Sequence, residues 1–186
     1  MAVLNIVIWP AKVLDEPAKA ITEITHMHHQ LASDLVDTCE QVGGLGLAAP
    51  QVGVGLSMFV LNTKAIDPSL DGYETFINPK AVKTGGGQTK QEEGCLSFPG
   101  VRAKIKRHKT FGIEYTTLNG TTETLSGDGL LAQALQHELD HLLGKPFIEH
   151  MSSIKRRSAK QKMKILKRRM IAEGVKYHDV IGSRDE

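Results

Sequence analysis

The segment QHELDHLLG, residues 136–144, decides how the rest of the chain is read. His137 and His141 lie four positions apart. On an α-helix that spacing stacks both imidazoles on one face, where two neutral ring nitrogens can grip one divalent ion from one side. Glu138, beside the first histidine, then stands next to a water held at the ion and can take its proton. This HExxH arrangement is a metallohydrolase pattern. On its own it also describes an amphipathic helix with two solvent-facing histidines. The helix has marked ends: Asp128 is its expected N-cap, and Gly144 with Pro146 beyond is its stop.

Upstream of that helix the chain reads as β. RAKIKR (102–107) and FGIEYTTL (111–118) alternate apolar and polar residues as half-buried strands do, and Asn119-Gly120 is a hairpin signal. LSMFVLN (56–62) is a compact strand, DPSLDG (67–72) a turn, YETFINP (73–79) another strand, and the glycines 85–87 a second turn. GLGLAAPQVGVG (44–55) is too glycine-rich to predict a regular element. Before it, Met27, Leu31, Leu35, Cys39 and Val42 recur at helical spacing from about Thr25, with Gly43-Gly44 as the stop. VLNIVI (3–8) predicts a buried strand or extended arm. Downstream, a last periodic segment runs from about Ser152 to Ala172. Strands in the middle, one helix before them and two after, predict an α+β fold and not alternating βαβ units.

The length of 186 residues suits one domain, and 40% hydrophobic residues suffice for a core without disulfides. Two cysteines, Cys39 and Cys95, make no disulfide framework and read as reduced thiols. The start MAVLNIVIWP lacks the basic region and cleavage site of a signal peptide, and no apolar run approaches the ~20 residues of a membrane span. The expected compartment is the cytoplasm. The net charge of +2 excludes little, but its distribution does more. Residues 151–172 hold Lys155, Arg156, Arg157, Lys160, Lys162, Lys164, Lys167, Arg168 and Arg169 and no acid, with Ile154, Met163, Leu166 and Met170 as a possible apolar stripe. Such a helix can lie on nucleic acid or an anionic surface, or pack its stripe on the domain and leave the charges solvated.

A catalytic site of this type needs a third protein ligand and one open position. The position six residues after His141, where a metzincin carries histidine, is Phe147. Residues 150–172 contain no carboxylate, so a glutamate from a later helix is not available there. The histidines at 26, 28, 29, 108, 150 and 178 stay open, as does Cys95. Cys95 sits in EEGCLSFPG (92–100), whose glycines and proline predict a fixed, irregular backbone. Leu130 and Ala134 share roughly the face of His137 and predict an apolar wall beside the ion, with Gln133 close to it.

Three segments taken together, GLGLAAPQ (44–51), EGCLS (93–97) and QHELDHLLG (136–144), resemble the three signature motifs of peptide deformylase in order and separation. The resemblance covers nearly the whole chain. It implies antiparallel sheets packed around a central helix carrying HExxH, with a C-terminal helix. It implies a catalytic domain over 1–150 and an appended basic helix and tail over 151–186 of the same domain. The activity implied is metal-dependent hydrolysis of the N-formyl group from the formyl-methionine of nascent polypeptides, with release of formate. Cys95, His137 and His141 match the metal ligands, and Glu138 the general acid/base for attack of activated water on the formyl carbon. Gln51 and the backbone N–H of Leu96 match the groups that hold the formyl oxygen. Leu45 and Gly46 match the loop that pairs with the substrate backbone, and Leu130, Gln133 and Ala134 flank the methionine pocket. Arg102 matches an arginine that orders the cysteine segment through Glu93. The implied cofactor is one divalent ion, Fe²⁺ in the cell, with Zn²⁺, Ni²⁺ or Co²⁺ in preparations. The implied partners are formyl-methionyl peptides and the ribosome near its exit tunnel, met through the basic helix by a monomer with no membrane attachment. The rival readings are a small zinc metallopeptidase and a non-enzymatic ribosome-binding homologue.

Overall fold

The computed structural model describes residues 2–174 and Tyr177. Residues 175, 176 and 178–186 of the expected tail, His178 among them, lie outside the described residues. Five strands form one sheet in chain order, each antiparallel to the next: β1 (Gly46–Ala48), β2 (Met58–Asn62), β3 (Tyr73–Gly94), β4 (Arg102–Thr116) and β5 (Thr122–Asp128). The helices are α1 (His26–Gln41), the single turn α2 (Thr63–Ile66), α3 (Gly129–Leu142) and α4 (Ser153–Glu173). The α+β expectation therefore holds, with the strands gathered into one sheet.

Strand β2 separates two cores. Side chains alternate across a strand, so Met58 and Val60 face a cluster with Leu35 and Cys39 of α1 and Met163 of α4. Phe59 and Leu61 face the other cluster, which holds the leucines of α3. Both faces are covered, which is why MFVL is a continuous apolar run with all four residues buried. Across β2, β3 and β4, Phe59 stacks on Phe76 and Phe76 meets Tyr115 at a tilt, with centroids 4.5 and 4.4 Å apart.

Helix α3 is anchored by Leu131, Leu135, Leu139 and Leu142. At 3.6 residues per turn, that row leaves His137 and His141 on the opposite face. Gln136 fastens the helix to β4, accepting from His108 N–H at 3.0 Å and donating to its carbonyl at 3.1 Å. Asp128 occupies the N-cap position with extended backbone but forms no capping side-chain hydrogen bond.

Three expectations change. The glycines 85–87 do not turn the chain: β3 runs unbroken from Tyr73 to Gly94, and its register against β4 shifts between Gly85 and Gln88. Gly86 and Gly87 take φ of +69° and +72°, a backbone that a strand absorbs as a bulge. The segments 102–107 and 111–118 belong to one strand, β4, up to Thr116. The glycine-rich segment does form regular structure, because Gly46, Leu47 and Ala48 find Leu61, Val60 and Phe59 of β2 as partners. The first residues stay an extended arm outside the sheet, bonding Val7 N–H to Gln51 O and Trp9 N–H to Ser97 O.

Two periodicity readings shift as well. Met27 is 69% exposed and drops out of the α1 stripe. On α4 the buried stripe is Ala159, Met163, Leu166 and Met170, whereas Ile154 is 82% exposed. Glu149 binds Arg156 and Lys160 of α4 at 2.7 and 2.8 Å. No helix among the described residues is long and apolar enough to cross a membrane.

Candidate metal centre

Helix α3 presents His137 and His141 toward the turn that leaves β3 at Gly94, where Cys95 follows. One ligand atom from each of Cys95, His137 and His141 lies within 4.8 Å of the others, and among the described residues no other such group occurs. Cys95 Sγ is 3.2 Å from His141 Nε2, and the two imidazoles stand nearly perpendicular with centroids 5.1 Å apart. The remaining histidine candidates among the described residues, at 26, 28, 29, 108 and 150, are not part of this group. The donor set fits a divalent ion: one soft sulfur, two imidazoles and, among the described residues, no fourth protein ligand, which is the pattern of an open catalytic site.

The surroundings fit as well. His137 Nδ1 is 2.9 Å from Glu93 Oε2, a contact that fixes the ring and directs Nε2 toward the centre. Glu93 is itself held by Arg107, Nε to Oε1 at 2.6 Å and Nη2 to Oε2 at 2.8 Å, and Arg107 Nη1 reaches Asp140 at 2.6 Å. Burial would raise the Glu93 carboxyl, but the hydrogen bonds from Arg107 and His137 override it and hold it at about 2. Burial opposes charge on His137 too, yet its contacts with Cys95 and Glu93 lift its pKa well above the ordinary value. Anions that favour a proton there favour a cation between the ligands for the same reason. Burial keeps His141 neutral, its pKa well below the usual range, as a metal ligand must be.

Glu138 is 5% exposed and its Oε2 has no hydrogen-bond partner among the described residues. A buried carboxylate oxygen so placed calls for a polar group in the cavity it faces. Burial pushes its carboxyl up to about 7, against the opposing charge of His137, which poises it to take and return a proton near neutral pH. Gly46 lets it fit: a Cβ there would lie 2.7 Å from Glu138 Oε1. Gln51 accepts from Ala48 N–H at 2.8 Å through Oε1, so its amide nitrogen turns to Cys95 Sγ, 3.5 Å away. Leu96 follows Cys95, and its N–H donates to no acceptor among the described residues.

These groups open on a cavity of about 690 Å³. Leu45, Gly46, Gln51, Glu93, Cys95, Leu96, Arg102, Leu130, Gln133, Ala134, His137 and Glu138 all line it. Gln133 is tied down by a bond to Glu92 O at 2.9 Å. The Arg102–Glu93 pairing is corrected. Arg102 lies 3.6 Å from Glu92 with both side chains exposed, and Arg107 is the arginine on Glu93. Register decides this, since Arg102 pairs with Gly94 on the outward parity of β4, while Ala103, Ile105 and Arg107 point inward. The parity was available in RAKIKR; the second missed residue, Tyr177, had no signal at all. Both cysteines are free, and burial pushes the thiol of Cys39 up to about 12.

A helix-borne histidine pair joined by a cysteine at a strand end, with a buried carboxylate facing a cavity of mixed polar and apolar lining, defines a metal-dependent hydrolase. The sequence model of the polypeptide deformylase family matches residues 3–157, and the chain belongs to that family. It is 39% identical over 164 residues to the peptide deformylase of Endomicrobium trichonymphae, covering 88% of this chain and 95% of that one. It is 38% identical over 172 residues to peptide deformylase 1 of Burkholderia multivorans, covering 91% and 92%. Among solved structures, a Legionella pneumophila peptide deformylase superposes with a TM-score of 0.83 at 33% identity, covering 91% and 98% of the two chains. The Ehrlichia chaffeensis enzyme in complex with actinonin gives 0.84 at 36%, covering 90% and 99%. The chain is a hydrolase that removes the formyl group from an N-terminal methionine, with its metal site at Cys95, His137 and His141.

Proposed function

We propose that the residues around this centre divide the deformylation between them as follows. An ion held by Cys95, His137 and His141 would supply Lewis-acid polarisation and acidify water toward neutral pH. Glu138 takes the proton of the attacking water and delivers it to the leaving amine as the formyl C–N bond breaks, so that formate and a free N-terminus leave. Gln51 Nε2 and Leu96 N–H donate to the formyl oxygen as charge builds on it. Both are neutral, fixed donors that need no proton transfer. Leu45 and Gly46 offer the substrate backbone the free edge of β1, which has a neighbour on one side only. Leu130, Gln133 and Ala134 form the wall for the methionine side chain, and Arg102 flanks the chain that follows.

The observation that carries this reading is the approach of Cys95, His137 and His141 to within 4.8 Å beside Glu138 and Gln51. Formate release from a formyl-methionyl peptide, run beside the unformylated peptide, tests it. A small metallopeptidase would cleave the unformylated peptide, and a non-enzymatic homologue would release nothing. Gln51→Leu is expected to lower kcat by about 10²–10³-fold, the usual cost of one oxyanion donor. An unchanged kcat would remove Gln51 from the mechanism.

The ion in the cell is proposed to be Fe²⁺, with Zn²⁺, Ni²⁺ or Co²⁺ able to replace it. An iron–thiolate site is open to oxidation at metal and sulfur. Activity of the iron form should therefore decay in air while the nickel form persists; equal aerobic half-lives would contradict iron dependence. Residues 1–150 are read as the catalytic part and 151–186 as its basic appendage, acting as a monomer in the cytoplasm. The cationic face of α4 is proposed to meet the ribosome near the exit tunnel. Affinity should then fall steeply with salt, and salt-independent binding would count against that role.

A further inference from the structure

Helix α4 does more than display charge, because Tyr177 just beyond it stands at the reaction centre. Gly174 ends the helix in the left-handed conformation with φ of +64°, its N–H bonded to Met170 O, a device that stops a helix and redirects the chain. Three residues later Tyr177 is buried, 5% exposed, in the same core as Phe98, Val101 and Met163. It also lines the cavity that holds Cys95, His137 and Glu138. Its hydroxyl donates to the carbonyl of Leu96 at 2.8 Å.

That bond completes a row. The carbonyls of Cys95, Leu96 and Ser97 accept, in order, from Phe98 N–H at 2.9 Å, Tyr177 OH at 2.8 Å and Trp9 N–H at 3.1 Å. Two of these donors are backbone N–H groups, one in the same turn and one in the N-terminal arm. The middle one is a side chain, and it grips the residue whose N–H donates to no acceptor among the described residues. The Leu96 N–H shares a peptide plane with the Cys95 carbonyl that Phe98 N–H holds, and Tyr177 holds the next plane at the Leu96 carbonyl, so the two bonds together limit the Leu96 torsions that aim its N–H. The family match stops at residue 157, so nothing in it assigns a role to this tyrosine.

We infer that Tyr177 is a positioning residue for deformylation: it holds Leu96 so that its N–H meets the formyl oxygen, and its ring closes one wall of the substrate cavity. The inference rests on the reading of Leu96 as an oxyanion donor. Donors of this kind act only when preorganised, and small misplacements are costly in rate.

Tyr177→Phe keeps the ring and removes only the hydroxyl. With full-length protein loaded with Ni²⁺ and a formyl-methionyl peptide, kcat should fall about 3–10-fold, the scale of one neutral hydrogen bond. KM should stay within about two-fold, because ground-state binding is untouched. Metal content should stay at one ion per chain and Tm within about 2 °C. Tyr177→Ala, which opens the wall, should raise KM as well. A wild-type kcat in Tyr177→Phe overturns the inference, and so does a loss that only follows lost metal or lowered Tm. Gln51→Leu is measured alongside. If it is slowed and Tyr177→Phe is not, the inference fails while the oxyanion site stands; if neither is slowed, both fail.

Discussion

Replacing Glu138 by alanine is expected to cut kcat by about 10²–10⁴-fold, the range for losing a general acid–base group, while the protein still binds one metal ion. The two halves of this expectation come from different parts of the site. Glu138 is not among the three groups that converge within 4.8 Å, so the ligand set survives its removal. Its carboxylate is buried, its pKa is pushed up to about 7, and one oxygen has no partner among the described residues. Such a group costs stability where it stands, so Glu138→Ala should leave Tm unchanged or raised. Steady-state kinetics, metal analysis and a melting curve on one preparation check all three. Normal deformylation by the variant would reject the mechanism outright.

The second large effect concerns Arg107, which touches no substrate. Its guanidinium is 3% exposed and joins two carboxylates, Glu93 from β3 and Asp140 from α3. Arg107→Met leaves buried Glu93 with only His137, and part-buried Asp140 with only His150, in place of the guanidinium. Breaking a buried pair from one side typically costs about 3–5 kcal/mol, so Tm should drop by roughly 6–20 °C for a chain of this size. The damage should reach the metal, since Glu93 orients His137; losing such support typically weakens metal affinity about 10–100-fold. Adding Glu93→Gln removes the stranded charge and should recover part of the lost stability but not the metal affinity. A variant with wild-type Tm and metal affinity would show that the network is ornamental. Replacing Arg102, exposed and 3.6 Å from Glu92, should leave Tm almost unchanged.

The contrast between these two arginines marks how far the sequence could be read. The helix of His137 and His141 was legible because a 3.6-residue period, a leucine row and the stop at Gly144 agree with one another. The strands were legible for the same reason, and Asn119-Gly120 does join β4 to β5. What the pattern hid depends on distant partners. Gly86 and Gly87 look like a turn, and only the opposite strand makes them a bulge. GLGLAA looks irregular, and only β2 gives it a ladder. Cys95 could not be told from a buried small residue by its neighbours; what singled it out was the resemblance of its segment to a known motif. Arg107 was readable by strand parity, as it shares the inward row with Ile105. Tyr177 was not readable, because nothing local announces a side chain that returns across the molecule to Leu96.

The central claim is that sulfur and two imidazoles grip one ion together. X-ray absorption at the zinc edge of protein reconstituted anaerobically with one equivalent of Zn²⁺ tests it most directly. The expected inner shell holds one sulfur at about 2.3 Å and two imidazole nitrogens at about 2.0–2.1 Å, with a lighter ligand in the open position. A shell of nitrogen and oxygen alone, with no sulfur, would contradict it.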